Sequence, residues 1–162
     1  MKRVTLCYVT RWAPHREVLL GLKKRGFGAG KWNGFGGKIE PGESPRDAAV
    51  RELLEECRVR IRTVDLTDAG TLTFRFPARP SFDHHVRVFV TNRWSGAPAE
   101  TDEMRPEWYR CDRLPLGLMW DDDRFWLPLV LGGERINAVL HYRPDNETVA
   151  RMSLRRVGRF VT

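Results

Sequence analysis

The apolar and polar positions from Val4 to Trp12 alternate in the manner of a strand, and the apolar-rich run Glu17 to Lys24 reads as another strand. Between Gly26 and Gly37 six glycines fall within twelve residues, GFGAGKWNGFGG, the composition of a loop that exposes its backbone. Ser44-Pro45-Arg46-Asp47 reads as a helix start, with an N-cap, a proline at the first helical position and an acid at the third. That helix is predicted to run to about Cys57. Further strands are predicted at Gly70 to Phe76, His85 to Thr91 and Trp108 to Cys111. Asp121 or Asp122 is expected to cap a second helix, bent by Pro128 and ending at Gly132-Gly133. Arg135 to Tyr142 and Thr148 to Val157 predict a hairpin around Pro144-Asp145-Asn146. No repeat, low-complexity tract or long linker interrupts the pattern, so residues 1–162 are read as one domain. Many strands with two separated helices predict an α/β (or α+β) layered fold, a sheet flanked by helices.

Composition narrows the class. With 41% apolar and 30% charged residues over 162 positions, the chain reads as one globular domain with a sizeable core. The longest run free of charge, Phe125 to Gly133, is nine residues, against the ~20 needed to cross a bilayer, so no membrane partner is expected. The opening MKRVTLCYV meets charge at Arg11 before a signal-like apolar stretch develops, which argues against secretion. Cys7, Cys57 and Cys111 are odd in number, widely spaced and without a CxxC pair. That pattern argues against a disulfide framework or zinc finger and suits the cytoplasm.

The net charge is 28 − 21 = +7, and residues 1–40 carry all of it, with nine Lys/Arg against two Glu. The positive field gathers around Lys23 to Lys38, which suits a polyanion, either a nucleic acid or a nucleotide polyphosphate. A solvated basic face without a ligand is the plainer alternative.

The densest chemical signal is Arg51-Glu52-Leu53-Leu54-Glu55-Glu56. At 100° per residue, Glu52, Glu55 and Glu56 share about a third of the helix circumference, and Val50, Leu53, Leu54 and Cys57 face the core. Three like charges on one face repel, with Arg51 alone beside them. A divalent cation relieves this, and all-oxygen ligands favour Mg²⁺, with Mn²⁺ as the substitute. An ordinary solvated acidic face explains the bare helix equally well.

The upstream residues change that balance. Gly37, Glu43, Arg51, Glu52, Leu53, Glu55, Glu56 and Val59 match eight of the nine specified positions of G-x5-E-x7-R-E-U-x-E-E-x-G-U, and the segment resembles the Nudix box. Arg58 stands where the second glycine belongs, just past the helix end, where a left-handed residue is expected. An arginine there costs on the order of 1 kcal/mol or diverts the chain. The motif has its own physical logic: glycine backbone approaches phosphate and metal closely, while the helix presents carboxylates to metal. Glu43 and Arg51 are expected to tie the loop to the helix. A Walker A loop is excluded because Ile39 follows Lys38, and no register of the glycines gives GxGxxG.

Outside the box, Gly21 to Lys38 (GLKKRGFGAGKWNGFGGK), Asp102 to Pro106 and Met119 to Leu129 are similar to the MutT-homolog 8-oxo-dGTP diphosphatases within the Nudix hydrolases. The resemblance extends roughly from Val18 to Val157 and implies a Nudix-type mixed sheet sandwiched between helices. It implies a metal site of the Gly36 carbonyl, Glu52, Glu55, Glu56 and Glu103, the four glutamates forming the catalytic set. Lys23 is then placed near the phosphates and Asn33 on the base edge. Phe27, Phe74, Trp120 and Trp126 are placed around the purine. The GFGGK residues Phe35, Gly36, Gly37 and Lys38 are counted among the substrate contacts. Around Ala78 to His85 the chain carries small insertions and lacks a counterpart of the family's methionine.

Aromatic faces stack on a purine for ~1–3 kcal/mol per base without reading its identity. Identity must come from buried hydrogen bonds, which Asn33, Asp122 and Asp123 are able to supply. Two adjacent buried carboxylates are expected to share one proton, and capping of the following helix is their plainer explanation. The plainer role for the tryptophans is core packing. His84 and His85 are expected at a strand entry, not on a metal, and Arg151 to Arg159 as a charged strand edge.

The function expected is Mg²⁺-dependent hydrolysis of oxidised purine nucleoside triphosphates to monophosphate plus pyrophosphate. A cytoplasmic monomer with no stable nucleic-acid partner is expected. Any of the Nudix-helix glutamates is eligible as the base. The alternatives are a Nudix enzyme for a dinucleoside polyphosphate, ADP-ribose or an RNA cap, and a catalytically silent nucleotide- or nucleic-acid-binding module. The silent reading leaves three intact helix glutamates without a use.

Overall fold

The structure is a computed structural model that describes residues 1–161, and Thr162, the last residue of the expected domain, lies outside them. Eight strands and two α-helices follow the order β1 (Lys2–Trp12), β2 (Arg16–Lys23), β3 (Trp32–Asn33), α1 (Pro45–Cys57), β4 (Thr67–Arg75), β5 (His84–Thr91), β6 (Met104–Arg110), α2 (Asp123–Leu131), β7 (Glu134–Tyr142) and β8 (Val149–Arg159). They form one mixed sheet in the order β3-β2-β1-β5-β4-β7-β8, with β6 pairing β2. β1 runs parallel to β5 and β4 parallel to β7, while the remaining pairs are antiparallel.

The period of two along each strand builds the layers. On β1, Tyr8 enters one core with Val18, Val86, Val88, Trp126 and Leu127, beneath α2. Its neighbours Cys7 and Val9 enter the other with Leu53, Cys57 and Phe89, beneath α1. The two helices therefore cover opposite faces, the α/β layered sandwich expected. Among the described residues no helix is long and apolar enough to cross a membrane.

Several local expectations are corrected. β6 begins at Met104 instead of Trp108, its early residues disguised by charge and by Pro106, yet paired to β2 as far as Lys23. Neither aspartate caps α2 through its side chain: Asp122 is already in the right-handed helical region and makes no capping bond. Asp121 instead accepts from the Val149 amide at 2.8 Å and from Arg124 at 3.0 Å. On α1, Ser44 caps as expected, its Oγ accepting from the Asp47 amide at 3.0 Å. The helix turns Leu53 and Cys57 inward, but Glu56, expected on the open face, is only 6% exposed, whereas Leu54 is half-buried.

Arg58 keeps the exit path that glycine would take. Its φ is 66° and ψ 14°, left-handed, and its amide donates to the Leu54 carbonyl at 3.0 Å. Arg58→Gly is expected to raise stability by a few tenths to ~1 kcal/mol by removing the Cβ penalty. Thermal melting with unchanged activity checks this, and a lower melting temperature would contradict it.

Candidate active site

The site is built where the glycine loop crosses between β1 and α1. The Cys7 and Phe35 backbones bond each other at 2.6 and 3.0 Å, and the Thr5 amide donates to the Gly37 carbonyl at 2.9 Å. These bonds draw the loop flat against β1. A Cβ at Gly36 would lie 1.8 Å from the Thr5 carbonyl oxygen, and one at Gly37 would lie 2.5 Å from the Glu52 carboxylate. Against the Thr5 backbone only glycine fits at Gly36, whereas a side chain at Gly37 would displace the Glu52 carboxylate.

Arg51 fastens this loop to the helix. Its guanidinium grips Glu43 with two bonds of 2.8 and 2.9 Å and also donates to the Lys38 carbonyl at 3.0 Å. That grip holds the Glu43 carboxyl down at about 2. The same guanidinium reaches Glu52 at 2.9 Å and Glu55 at 3.4 Å. The loop-to-helix role expected for Glu43 and Arg51 is what the contacts describe.

The carboxylates lie in graded environments. Glu55 is exposed and Glu52 half-buried. Burial pushes Glu52 up, Arg51 pulls it back, and Glu55 and Glu103 add repulsion. Glu56 is pushed up to about 8, chiefly by burial, with Glu52 and Glu103 adding charge repulsion. The Gly36 amide, donating to its Oε1 at 2.8 Å, opposes that shift. Glu103 itself is exposed, and its backbone carbonyl accepts from the Lys24 amide at 2.9 Å.

Among the described residues no three acidic, histidine or cysteine side chains stand close enough together to hold an ion as they are. The donor chemistry nevertheless fits a hard divalent cation: carboxylate oxygens only, with repulsion that a cation would relieve.

Beside the carboxylates opens a cavity of about 340 Å³, within the usual range for ligand pockets. Lys23, Asn33, Gly36, Gly37 and Glu56 line one side of it. Phe27, Phe74, Trp120 and Trp126 line the rest, together with Asp122 and Asp123. Phe27 packs 4.2 Å from the Phe82 ring and 5.0 Å from Trp120, and remains 38% exposed at the mouth. Lys23 donates to the Phe27 carbonyl at 2.6 Å, pinning the loop end.

The aspartate pair is buried, at 1% and 2% exposure. Asp122 Oδ1 accepts from the Tyr142 hydroxyl, and its Oδ2 accepts from the Trp126 indole N–H at 2.7 Å. Asp123 Oδ2 has no partner among the described residues. Burial raises both carboxyls, and Asp123 more, because the Asp122 charge adds to it and its side chain lacks two such donors. An unpartnered buried oxygen in a cavity wall marks a place where a ligand is expected to bond.

The structure also leaves some expected residues outside this cavity. Phe35 is fully buried in the core under α1, because strand alternation turns it away from the side where Gly34 meets Tyr8. Lys38 is exposed and joins the site through its carbonyl to Arg51. Glu52, Glu55 and Glu103 lie beyond the cavity lining proper. Conversely, the cavity recruits residues that sequence reasoning missed. Phe82 and His84 fill the segment without a methionine counterpart, His84 stacking on Phe74 at 4.7 Å. Tyr142 reaches Asp122 from β7, a contact across twenty residues that no local pattern announces.

A carboxylate helix joined by a glycine-rich loop to an aromatic, acid-floored cavity suits an enzyme that holds a divalent cation beside a planar ligand. Residues 1–130 match the NUDIX domain, and the chain belongs to that family. It is 42% identical over 145 residues to the oxidized purine nucleoside triphosphate hydrolase of Mus musculus, covering 90% of each chain. It is 48% identical over 134 residues to the protein of the same name from Danio rerio, covering 83% of this chain and 82% of that one. Among solved structures, the MutT protein from Bacillus halodurans superposes with a TM-score of 0.78 at 26% identity, covering 95% and 97% of the two chains.

Proposed function

We propose that this chain hydrolyses oxidised purine (deoxy)nucleoside triphosphates, such as 8-oxo-dGTP and 2-oxo-dATP, to the monophosphate and pyrophosphate, as a sanitiser of the nucleotide pool. The observation that carries the reading is the buried Asp122–Asp123 pair on the wall of an aromatic cavity, with one oxygen left unpartnered. Phe27, Phe74 and Trp120 offer faces to a purine, and the raised Asp123 carboxyl offers an O–H to its edge. The names carried by the mouse and zebrafish relatives support the same substrate class.

Nudix hydrolases generally need a divalent metal, typically Mg²⁺. In this chain Glu52, Glu55, Glu56, Glu103 and the Gly36 carbonyl would hold it. Such an ion would supply charge neutralisation for the phosphates and a lowered pKa for the attacking water. The protein's part is to place the phosphates and take the proton. Lys23 faces the cavity near its glycine wall and meets the phosphate charge. Arg51 keeps Glu52 and Glu55 oriented, and a glutamate of α1 accepts the proton as water attacks one phosphorus of the α–β bridge and the P–O bond to the bridging oxygen breaks, freeing monophosphate and pyrophosphate.

The same proposal places a single-domain monomer in the cytoplasm, where Cys7, Cys57 and Cys111 stay thiols. The arginines of the edge strand β8 discourage pairing with a second copy. Hydrolysis in ¹⁸O-labelled water, with the products separated by charge, tests the bond cleaved. Release of pyrophosphate as a single unit is expected. Inorganic phosphate plus a nucleoside diphosphate would overturn the assignment.

A further inference from the structure

Asn33 is held by its oxygen, and the holder includes a residue outside the cavity. Its Oδ1 accepts from the Gly34 amide at 2.8 Å and from the Tyr8 hydroxyl at 3.3 Å. A backbone N–H only donates, so the atom facing Gly34 must be the amide oxygen, and Tyr8 must donate to the same atom. Both oxygen positions are then used. What remains of the side chain is the Nδ2 group, a donor only.

Tyr8 is fixed for this task on three sides. It is fully buried on β1. A Cβ at Gly34 would meet its ring at 2.8 Å, so the ring lies directly against the loop that carries Asn33. Its other side meets Trp126 edge-on, with centroids 5.9 Å apart at 69°. Burial and the nearby carboxylates of Asp123 and Asp122 keep its phenol protonated, the form that donates.

We infer that Tyr8 is a positioning residue for base selection: its hydroxyl, the second donor to Asn33 Oδ1 beside the Gly34 amide, steadies the side chain so that its N–H group is what it offers the cavity. The cavity then offers donors from Asn33 on one side and the proton-sharing Asp122–Asp123 pair on another. A purine edge gains a bond at Asn33 where it brings an acceptor, such as the C8 oxygen that oxidised guanine has and guanine lacks, and gains none where it brings a donor. With the Gly34 amide as its one remaining donor, the Asn33 oxygen stays inward but the amide plane is free to tilt, and its N–H group meets the base edge less well placed. The inference rests on the proposed function, since it needs a purine base in this cavity.

Tyr8→Phe removes only the hydroxyl and keeps the ring beneath Gly34. Its ratio of kcat/KM for oxidised dGTP over unmodified dGTP is expected to fall about three- to tenfold, the scale of one neutral hydrogen bond. The loss should lie in KM. In an Asn33→Ala background the same Tyr8 change should alter the ratio by less than about twofold, because nothing is left to lock. Melting curves confirm that each variant is folded. An unchanged ratio in Tyr8→Phe, an equal loss on both nucleotides, or a full effect surviving without Asn33 would overturn the inference while the substrate reading stands. Absence of any preference in the wild-type enzyme would overturn both.

Discussion

Replacing Glu56 by Gln is expected to lower turnover by at least ~10²-fold, because it removes one charge from the ligand set. The fold is expected to survive. Glutamine keeps the oxygen that accepts from the Gly36 amide, which wild-type Glu56 uses at 2.8 Å. It also needs no proton to sit in a buried place. In the metal-free protein the Glu56 carboxyl is raised from 4.5 to about 8, so the folded state binds a proton that the unfolded state releases. Stability from that proton is fully present below about 4.5 and is lost as pH rises through about 8. Metal-free wild type should therefore lose melting temperature across this window relative to Glu56→Gln. Near wild-type turnover in the variant would remove Glu56 from the site, and parallel melting profiles would contradict the burial account.

The second large effect concerns the cavity floor. Asp123→Asn is expected to lower kcat/KM for oxidised dGTP by ~10–10³-fold, the scale of one or two lost buried hydrogen bonds. The amide cannot give up or take on a proton to suit a second base edge, so the ranking of oxidised dGTP against oxidised dATP should also change. Asp122→Asn should behave differently. The Tyr142 hydroxyl can turn to accept from the new amide while Trp126 still donates to the remaining oxygen. A smaller activity loss and a lower melting temperature are expected there. Steady-state kinetics on both nucleotides, with melting curves, separates the two. Equal, small losses on every nucleotide would return both aspartates to a structural role.

The particular residues explain what was legible in the chain. The start of α1 could be read because Ser44, Pro45 and Asp47 act locally, each on backbone within three residues. The glutamate spacing and the Glu43–Arg51 clasp could be read because they span one loop and one helix. The two-layer core followed from alternation on β1. Burial of Glu56 could not be read, since helical periodicity assigns faces without knowing what covers them. The covering comes from the Gly36 loop and from Thr101, whose hydroxyl bonds the Glu56 carbonyl at 2.9 Å. Asp122 looked like a cap because its true partner, Tyr142, lies on another strand. Phe35 was expected as a substrate contact because it sits among Asn33, Gly36 and Gly37, which do line the cavity, while the strand-like alternation of a glycine loop sends its ring the other way.

The central claim, that this cavity selects an oxidised purine for pyrophosphate release, is tested most directly by one measurement. With Mg²⁺ present, pyrophosphate-release rates would be compared for 8-oxo-dGTP, 2-oxo-dATP, dGTP and dATP, with ADP-ribose and a dinucleoside polyphosphate followed through their own products. For the oxidised purine triphosphates kcat/KM is expected at least ~10-fold above that of their unmodified counterparts, a difference of one well-placed buried hydrogen bond. Equal rates on oxidised and unmodified nucleotides, or faster cleavage of ADP-ribose or the dinucleoside polyphosphate, would contradict it.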